Sequence, residues 1–371
     1  MLLNYPSLFL NTYDSDNPQK IITYDSDKHL IDRDIDYFFF QISSADSIEI
    51  FLLDTLISSN DIEKIRNKEY HIVLDNSDEC FYDIIDSIYK NIVDKFNIPA
   101  EQITLISGGP RIIDRVRQLG FPPINIEWAS ACELSIKQSY PYQYSQHLNT
   151  LEHKEYSKKF LLFNRRWRPW RPMLITLLYD RGLLDHGYVS LGQSDTLDNW
   201  NNIYNNLYHL FDFKDVLDKN KSIKSLPPMY LDTDDLVTNR VGLSNTTDSY
   251  FENSYFSVIT ETTYFNNQPI FPTEKIFKAI AMRHPFILVT VPGTLKFLRE
   301  QGYKTFEGII NESYDSEYND SNRLILIVNE IQRLCKLNTT ELDQFLNYAK
   351  GICEFNFSHL MNQQSFIRKC Y

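Results

Sequence analysis

The sequence has no Gly-rich phosphate loop of the P-loop or dinucleotide type, no Gly-x-Ser-x-Gly elbow and no His-Glu-x-x-His helix. Walker-type nucleotide hydrolysis, Rossmann redox chemistry, α/β-hydrolase catalysis and zincin peptidase activity therefore lose their sequence hallmarks. No apolar run reaches ~18 residues, so no transmembrane helix is expected. Cysteine is sparse: five residues, at 80, 132, 335, 353 and 370, an odd number with no Cys-x-x-Cys. Free thiols in a reducing compartment follow. Basic residues are outnumbered, 37 against 49 acidic ones, for a net charge of -12. That balance disfavours nucleic acid and anionic membrane as partners, while leaving room for a local basic pocket. The opening MLLNYPSLFLNTYDSD lacks a basic stretch and contains Pro6. It reads as mature protein rather than a signal peptide, and a cytoplasmic location is expected. The pattern sets no oligomeric state.

What is present is apolar material for two domains of ordinary size: 371 residues, 43% hydrophobic and 14% aromatic. Residues 1–150 alternate strand and helix patterns, which predicts an N-terminal Rossmann-like domain. Strand-like runs are Asp36 to Ile42, Ile48 to Leu53, Tyr70 to Leu74 and Ile103 to Ile106. Between the last two, Phe81, Ile84, Ile85, Ile88, Tyr89, Ile92, Val93 and Phe96 fall at helical spacing. A polar stretch from Lys137 to Lys159 reads as the linker. Residues 151–371 predict a second Rossmann-like domain, whose last helices can pack back on the first. Its strands are Phe160 to Phe163, Tyr188 to Leu191, Phe256 to Thr260 and Phe286 to Val291. Pro172 suits the first turn of a helix ending near Gly182. Thr273 suits an N-cap, with Ile276, Phe277, Ile280 and Ala281 as the buried stripe. Thr294 is the expected cap of the next helix. His284, before Pro285, marks a helix stop.

Two constellations could carry chemistry. The first surrounds one strand with six bases: Lys158, Lys159, Arg165, Arg166, Arg168 and Arg171. A loop from a strand into a helix N-terminus is where α/β folds hold anions, and Arg matches phosphate geometry. The second joins Thr260-Glu261-Thr262-Thr263 to Phe271-Pro272-Thr273-Glu274-Lys275. Here carboxylates could take sugar hydroxyls and Lys275 could meet phosphate, helped by the helix N-terminus. The plain alternative is an exposed Glu274–Lys278 pair at i,i+4, with ~0.3–0.5 kcal/mol of stabilisation. Asp-Ser-Asp segments at Thr12–Asp16 and Thr23–Asp27 resemble metal–diphosphate ligands, but follow no buried strand. No metal site is assigned.

The Phe271-Pro272-Thr273-Glu274-Lys275 box, the apolar helix after it and the Pro-initiated strand resemble the donor-binding signature of the α1,3-fucosyltransferase family. That family carries a Tyr/Phe-x-Thr-Glu-Lys box preceded by a strand ending in Phe-Glu-Asn. Here the strand ends Ile259-Thr260-Glu261-Thr262, so Thr262 replaces the family's Asn. The Glu-Lys-Ile-Phe-Lys pattern is also similar to uncharacterised glycosyltransferase-like proteins of phages and bacteria. The resemblance covers about Phe256 to Phe306 well and Phe160 to Gly192 fairly. It implies a GT-B architecture: two Rossmann-like domains facing a central cleft, with the donor on the C-terminal one. It implies inverting, metal-independent transfer of a sugar to a glycan or other hydroxyl acceptor. A nucleotide-diphosphate sugar is the donor, GDP-fucose-like being favoured, with no cofactor. Arg168 and Arg171 compete for the family's helix Arg. Arg168, Arg171, Glu261, Phe271, Thr273, Glu274 and Lys275 form the expected donor site. Inversion needs a base on the acceptor side. Glu79 and Asp78, in the loop after Tyr70 to Leu74, are the candidates, with Asp75, Glu127, His71 and His284 as rivals. Competing functions are a non-catalytic nucleotide- or sugar-binding protein and a glycosyltransferase acting on modified DNA.

Overall fold

The structure, a computed structural model, describes residues 36–41, 58–77, 80, 82–143, 156–164, 167–192, 200–221, 229, 231, 248–363 and 367–369. The expected strand Ile48 to Leu53, both Asp-Ser-Asp segments, Asp78, Glu79, Phe81, Arg165 and Arg166 lie outside the described residues. The chain divides into two compact units. One takes Met1–Ser135, Pro269–Phe271 and Gln364–Tyr371; the other takes Ile136–Gln268 and Pro272–Gln363.

In the first unit, β1 (Asp36–Gln41), β2 (Tyr70–Asn76), β3 (Ile103–Ser107) and β4 (Asn125–Ala129) run parallel, side by side in chain order. A short last strand, β9 (Ile367–Lys369), joins β4 antiparallel. The aliphatic run in β2 gives Ile72, Val73 and Leu74, all buried, as a doubly covered parallel strand requires. Helix α1 (Ser59–Arg66) starts where the Ser58 hydroxyl accepts the Asp61 N–H at 3.2 Å. The helical spacing after residue 81 becomes α2 (Asp83–Ile88) followed by a π-turn, Tyr89–Asp94. Ile84, Ile85, Ile88, Tyr89 and Ile92 still reach the core, because the wide turn keeps Tyr89 on the inner face against Phe121. Helix α3 (Ile113–Leu119) closes at Gly120, whose φ of 67° is the left-handed cap that glycine adopts freely. Helix α4 (Ala131–Gln143) corrects the linker expectation: its first residues, including Lys137, are helical.

The second unit carries β5 (Lys158–Leu162), β6 (Gly187–Val189), β7 (Ser254–Thr260) and β8 (Phe286–Val289), all parallel. Their order is β6-β5-β7-β8. The chain steps from β5 outward to β6, then returns to the other side of β5 for β7 and β8. The direction reverses between β5 and β7, and right-handed crossovers then place the connecting helices on opposite faces. Helix α5 (Trp170–Asp180) follows β5 and is buried from Trp170 through Leu178. Pro172 stands third in it, still within the first turn, where no N–H partner is lost. Helices α6 (Trp200–Leu210), α7 (Lys214–Lys219) and α8 (Asp248–Glu252) lead to β7. Helix α9 (Glu274–Ala281) connects β7 to β8. Helix α10 (Thr294–Glu300) is capped by Gly293 rather than Thr294: Gly293 has φ 82°, and the Thr294 hydroxyl turns back to Val291 O at 2.7 Å. Helix α11 (Asp320–Lys336) packs on α5 and β8, and α12 (Thr339–Asn362) packs on α9, covering both faces. The fold is therefore mixed α/β with parallel sheets. No helix among the described residues is long and apolar enough to cross a membrane.

Two glycines test the packing in opposite directions. A Cβ at Gly187 would overlap the ring of Phe160, which is fully buried. A Cβ at Gly351, an exposed position inside α12, would meet nothing. Gly187→Ala should lower stability by ~1–3 kcal/mol, and Gly351→Ala should raise it by ~0.5–1 kcal/mol. Denaturant melts of both variants check the pair.

Candidate functional site

Open parallel sheets bind ligands beyond the carboxyl ends of their strands, where the strand order reverses. In the second unit that place is the gap between the ends of β5 and β7. Asn164, two residues past β5, is buried; its side-chain oxygen accepts the Thr260 hydroxyl at 2.6 Å. Its own N–H reaches the Ser190 hydroxyl at 3.2 Å. The loop after β5 is thus pinned to β7 and to the end of β6.

Glu261 follows Thr260 and is 1% exposed. Both of its carboxylate oxygens are taken by Thr273: the Thr273 N–H reaches Oε1 at 3.1 Å, and the Thr273 hydroxyl donates to Oε2. Burial raises the Glu261 carboxyl above its ordinary value, against the pull of Lys275 and of the two Thr273 bonds. Thr273 is the N-cap of α9, with extended φ and ψ of -108° and -177°. Its hydroxyl accepts from Lys275 Nζ at 2.9 Å and, more distantly, from the Lys275 N–H at 3.5 Å. Lys275 Nζ also lies 2.8 Å from Glu274 Oε1. Burial disfavours the ionised Glu274, but Lys275 outweighs it, and the carboxyl ends below its ordinary value. An ammonium has three donors. Lys275 spends two on these oxygens and remains 30% exposed, so its third can reach a ligand.

Arg171, the second residue of α5, is buried; Nη2 donates to the Thr260 and Glu261 carbonyls at 3.2 and 3.4 Å. Arg168 is half-buried just ahead of α5, and its carbonyl accepts the Arg171 N–H at 2.9 Å. Phe271 is buried two residues before Thr273. The structure thus brings Arg171, Glu261, Thr273, Glu274 and Lys275 together. Arg168 and Phe271 stand in the segments immediately beside them.

The Glu274–Lys278 pair does not form. Lys278 is buried, with Nζ 5.6 Å over the Phe251 ring, and Glu274 pairs with Lys275 instead. Position 278 falls between Phe277 and Ile280 on the inward side, so the lysine stem joins the core while its charge rests on an aromatic face.

Asn164 and Trp170 had no sequence signal as site residues, whereas Thr263 belongs to the second constellation. Asn164 Nδ2, Trp170 Nε1 and Thr263 Oγ1 are buried polar atoms with no hydrogen-bond partner among the described residues. Each such group costs about 1–3 kcal/mol. All belong to segments at the carboxyl ends of β5 and β7, and the Trp170 ring stacks on Tyr264 at 5.7 Å. Unmet buried polar groups call for a partner, and a ligand bound at these strand ends could supply one. Only the tertiary placement exposes these atoms.

In the first unit, Asp75 and Asn76 end β2 and are buried, so the strand runs two residues beyond its apolar stretch. Asp75 Oδ1 accepts the Ser77 N–H at 3.0 Å, closing an Asx-turn. Glu127 is buried on β4. His71 Nε2 sits 2.8 Å from the Thr104 hydroxyl, and burial lowers its pKa to about 4. His284 is enclosed: Nδ1 meets the Ser257 hydroxyl and Nε2 meets the Ser254 carbonyl, both at 2.7 Å. With both nitrogens occupied, His284 serves the fold and is removed as a base. No group of three or more His, Cys, Asp or Glu among the described residues could hold a metal ion.

No protein-family model matches the sequence, and no curated protein matches it. The solved N-terminal domain of a Candida albicans trehalose-6-phosphate phosphatase aligns at 12% identity with a TM-score of 0.38. The alignment covers 80% of this chain and 64% of that one, so this chain spans less than two thirds of its length. At that score the likeness carries no argument.

Burial makes His284 a source of acid sensitivity. Its pKa is lowered to about 4, against ~6.5 for an unfolded histidine. The unfolded chain therefore gains a proton first, and the stability this neutral side chain contributes is intact above pH ~6.5 and lost as pH falls toward 4. The loss is about 3 kcal/mol over that window. His284→Gln should flatten the fall between pH 6.5 and 4 in urea titrations; an unchanged slope would show that His284 does not drive it.

Proposed function

We propose that the protein is a glycosyltransferase that moves a sugar from a nucleotide-diphosphate donor to a hydroxyl acceptor. The observation that supports this reading best is the convergence at the β5/β7 reversal. Three segments far apart in sequence, carrying Arg171, Glu261 and Thr273-Glu274-Lys275, are joined there by direct hydrogen bonds. These are the residues through which the chain resembles α1,3-fucosyltransferases. In this reading the chain is of GT-B type, with the donor on the second unit and the acceptor approached from the first. A GDP-fucose-like donor is favoured.

The chemistry follows from the residues. Attack of an acceptor oxygen on the anomeric carbon breaks the bond to the diphosphate, which leaves with added negative charge. Lys275, at the positive end of α9, offsets that charge with its remaining N–H. Arg168, half-buried beside the N-terminus of α5, offers a second cation. Arg171 holds the Thr260–Glu261 turn, and Glu261 holds the cap that aims Lys275; both act by positioning. The acceptor proton passes to a carboxylate of the first unit, with Glu79 and Asp78 assigned and Asp75 and Glu127 next. Glu79→Gln or Asp78→Asn then lowers turnover and leaves donor binding intact. No metal enters this scheme, so sugar transfer should survive EDTA. Loss of turnover on chelation, restored by Mn²⁺, would contradict it.

Two neighbouring lysines give the sharper test. Titrating GDP, UDP and CDP by calorimetry identifies the best nucleotide. Lys275→Ala should then weaken its binding roughly tenfold to a hundredfold, the ~1.5–3 kcal/mol of a charge-assisted contact. Some stability is lost with it, because Glu274 and Glu261 lose their cation. Lys278→Ala should affect stability alone. Removing its contact with Phe251 lowers stability by ~0.5–2 kcal/mol, and nucleotide affinity stays. Equal affinity in wild type and Lys275→Ala would remove the donor site. Nucleotide binding without sugar transfer to any acceptor would leave a binding protein.

A further inference from the structure

The second unit contains another cleft, of about 720 Å³, between α10 and residues 307–318, closed on one side by Arg333 of α11. This size falls within the ~300–1,000 Å³ of small-molecule sites. None of the residues of the nucleotide-sugar site lines it. Its walls mix polar and apolar surface in near-equal measure, and their charges balance: Lys296, Arg299 and Arg333 face a cleft also lined by Glu307, Glu312 and Asp315.

Three of the charged groups, Glu312, Asp315 and Arg333, are held in place before any ligand arrives. Glu312 accepts the Phe306 N–H at 2.6 Å, the Thr305 hydroxyl at 2.8 Å and Arg299 at 3.1 Å. Asp315 accepts the Leu295 and Lys296 N–H groups at 2.8 and 3.0 Å. Arg333 donates to Ile309 O at 2.7 Å and to Glu330. Such preorganisation reduces the ordering cost of binding. An anionic ligand would meet three carboxylates, and a cationic one three bases. A purely apolar ligand would have to cover polar groups over about half of the lining. At the rim, Tyr318 presents a ring that is 65% exposed, among the largest apolar surfaces left open.

A flat aromatic beside a fixed, neutral set of donors and acceptors suits one ligand chemistry. Sugars are uncharged, offer hydroxyls that both donate and accept, and carry a C–H face that lies on a ring. We propose that this cleft binds a neutral oligosaccharide, a part of the acceptor glycan away from its reacting hydroxyl. Its role as acceptor rests on the glycosyltransferase reading; its binding chemistry does not. Arg323 links the two places. Its guanidinium donates to Tyr264 O at 2.6 Å and to Glu317 O at 2.9 Å. Tyr264 lies three residues past Glu261, and Glu317 adjoins Tyr318. One buried side chain thus spans from the donor-site turn to the cleft rim.

The test displays the full chain to an array of neutral di- to hexasaccharides. Wild type should bind members of the array, Tyr318→Ala should bind them about tenfold more weakly, and Tyr318→Phe should bind as wild type does. Melting temperatures should match, since Tyr318 is exposed. No capture by wild type, capture of charged glycans alone, or equal capture by Tyr318→Ala would overturn the proposal. Nucleotide titration of the same proteins separates the two readings. Tyr318→Ala should keep full nucleotide affinity. Glycan capture by a wild type that binds no nucleotide would sink the glycosyltransferase reading and leave the cleft assignment standing.

Discussion

The carboxylate of Glu261 organises the second unit. At 1% exposure it must be fully hydrogen-bonded or pay a large desolvation penalty, and Thr273 supplies both an N–H and an O–H. Committing the hydroxyl proton to Glu261 turns the lone pairs of Thr273 Oγ1 toward Lys275, which bonds it from Nζ. One buried acid therefore fixes the start of α9, the rotamer of its cap and the place of the adjacent cation. Arg171 reinforces the same turn by holding the carbonyls of Thr260 and of Glu261 itself.

The surrounding fold keeps this turn rigid. Asn164 ties the loop after β5 to Thr260, and Glu261 N–H continues the ladder to Val289 O at 3.1 Å. Beyond the turn, the Thr290 hydroxyl holds Thr263 O at 3.2 Å, and Arg323 holds Tyr264 O while lying 4.3 Å over its ring. Trp170 stacks on the Tyr264 ring at 5.7 Å and meets Phe265 edge-on. The unmet donors of Asn164, Trp170 and Thr263 are tolerated inside this frame because the buried cores around β5, β7 and α5 outweigh them. Substrate oxygens at the same strand ends would lower that cost in the bound state.

Much of the fold was legible in the chain because parallel strands buried on two faces write continuous apolar runs. Tyr70 to Leu74, Ile103 to Ile106, Phe256 to Thr260 and Phe286 to Val291 each mark a strand of the structure. The Thr273 cap and the stripe of α9 were legible for the same local reasons. What failed was what depends on tertiary partners. Lys278 reads as an exposed helix charge until Phe251 is brought against it from α8. Lys137 reads as linker because α4 has little apolar periodicity to announce it. The Gly293 cap replaces Thr294 because Asp315, twenty residues away, satisfies the first N–H groups of α10. In the site, Glu261 and Lys275 were marked by motif. Asn164 and Trp170 emerge only when strand order places their segments beside Thr263 at one edge.

A crystal structure of the chain with its best nucleotide diphosphate decides whether Lys275 holds the donor. Phosphate oxygens should lie at the N-terminus of α9, one of them ~2.8 Å from Lys275 Nζ, with the Glu261–Thr273 bonds intact beneath. Nucleotide density bound elsewhere, with Lys275 still resting only on Thr273 and Glu274, would contradict the donor assignment.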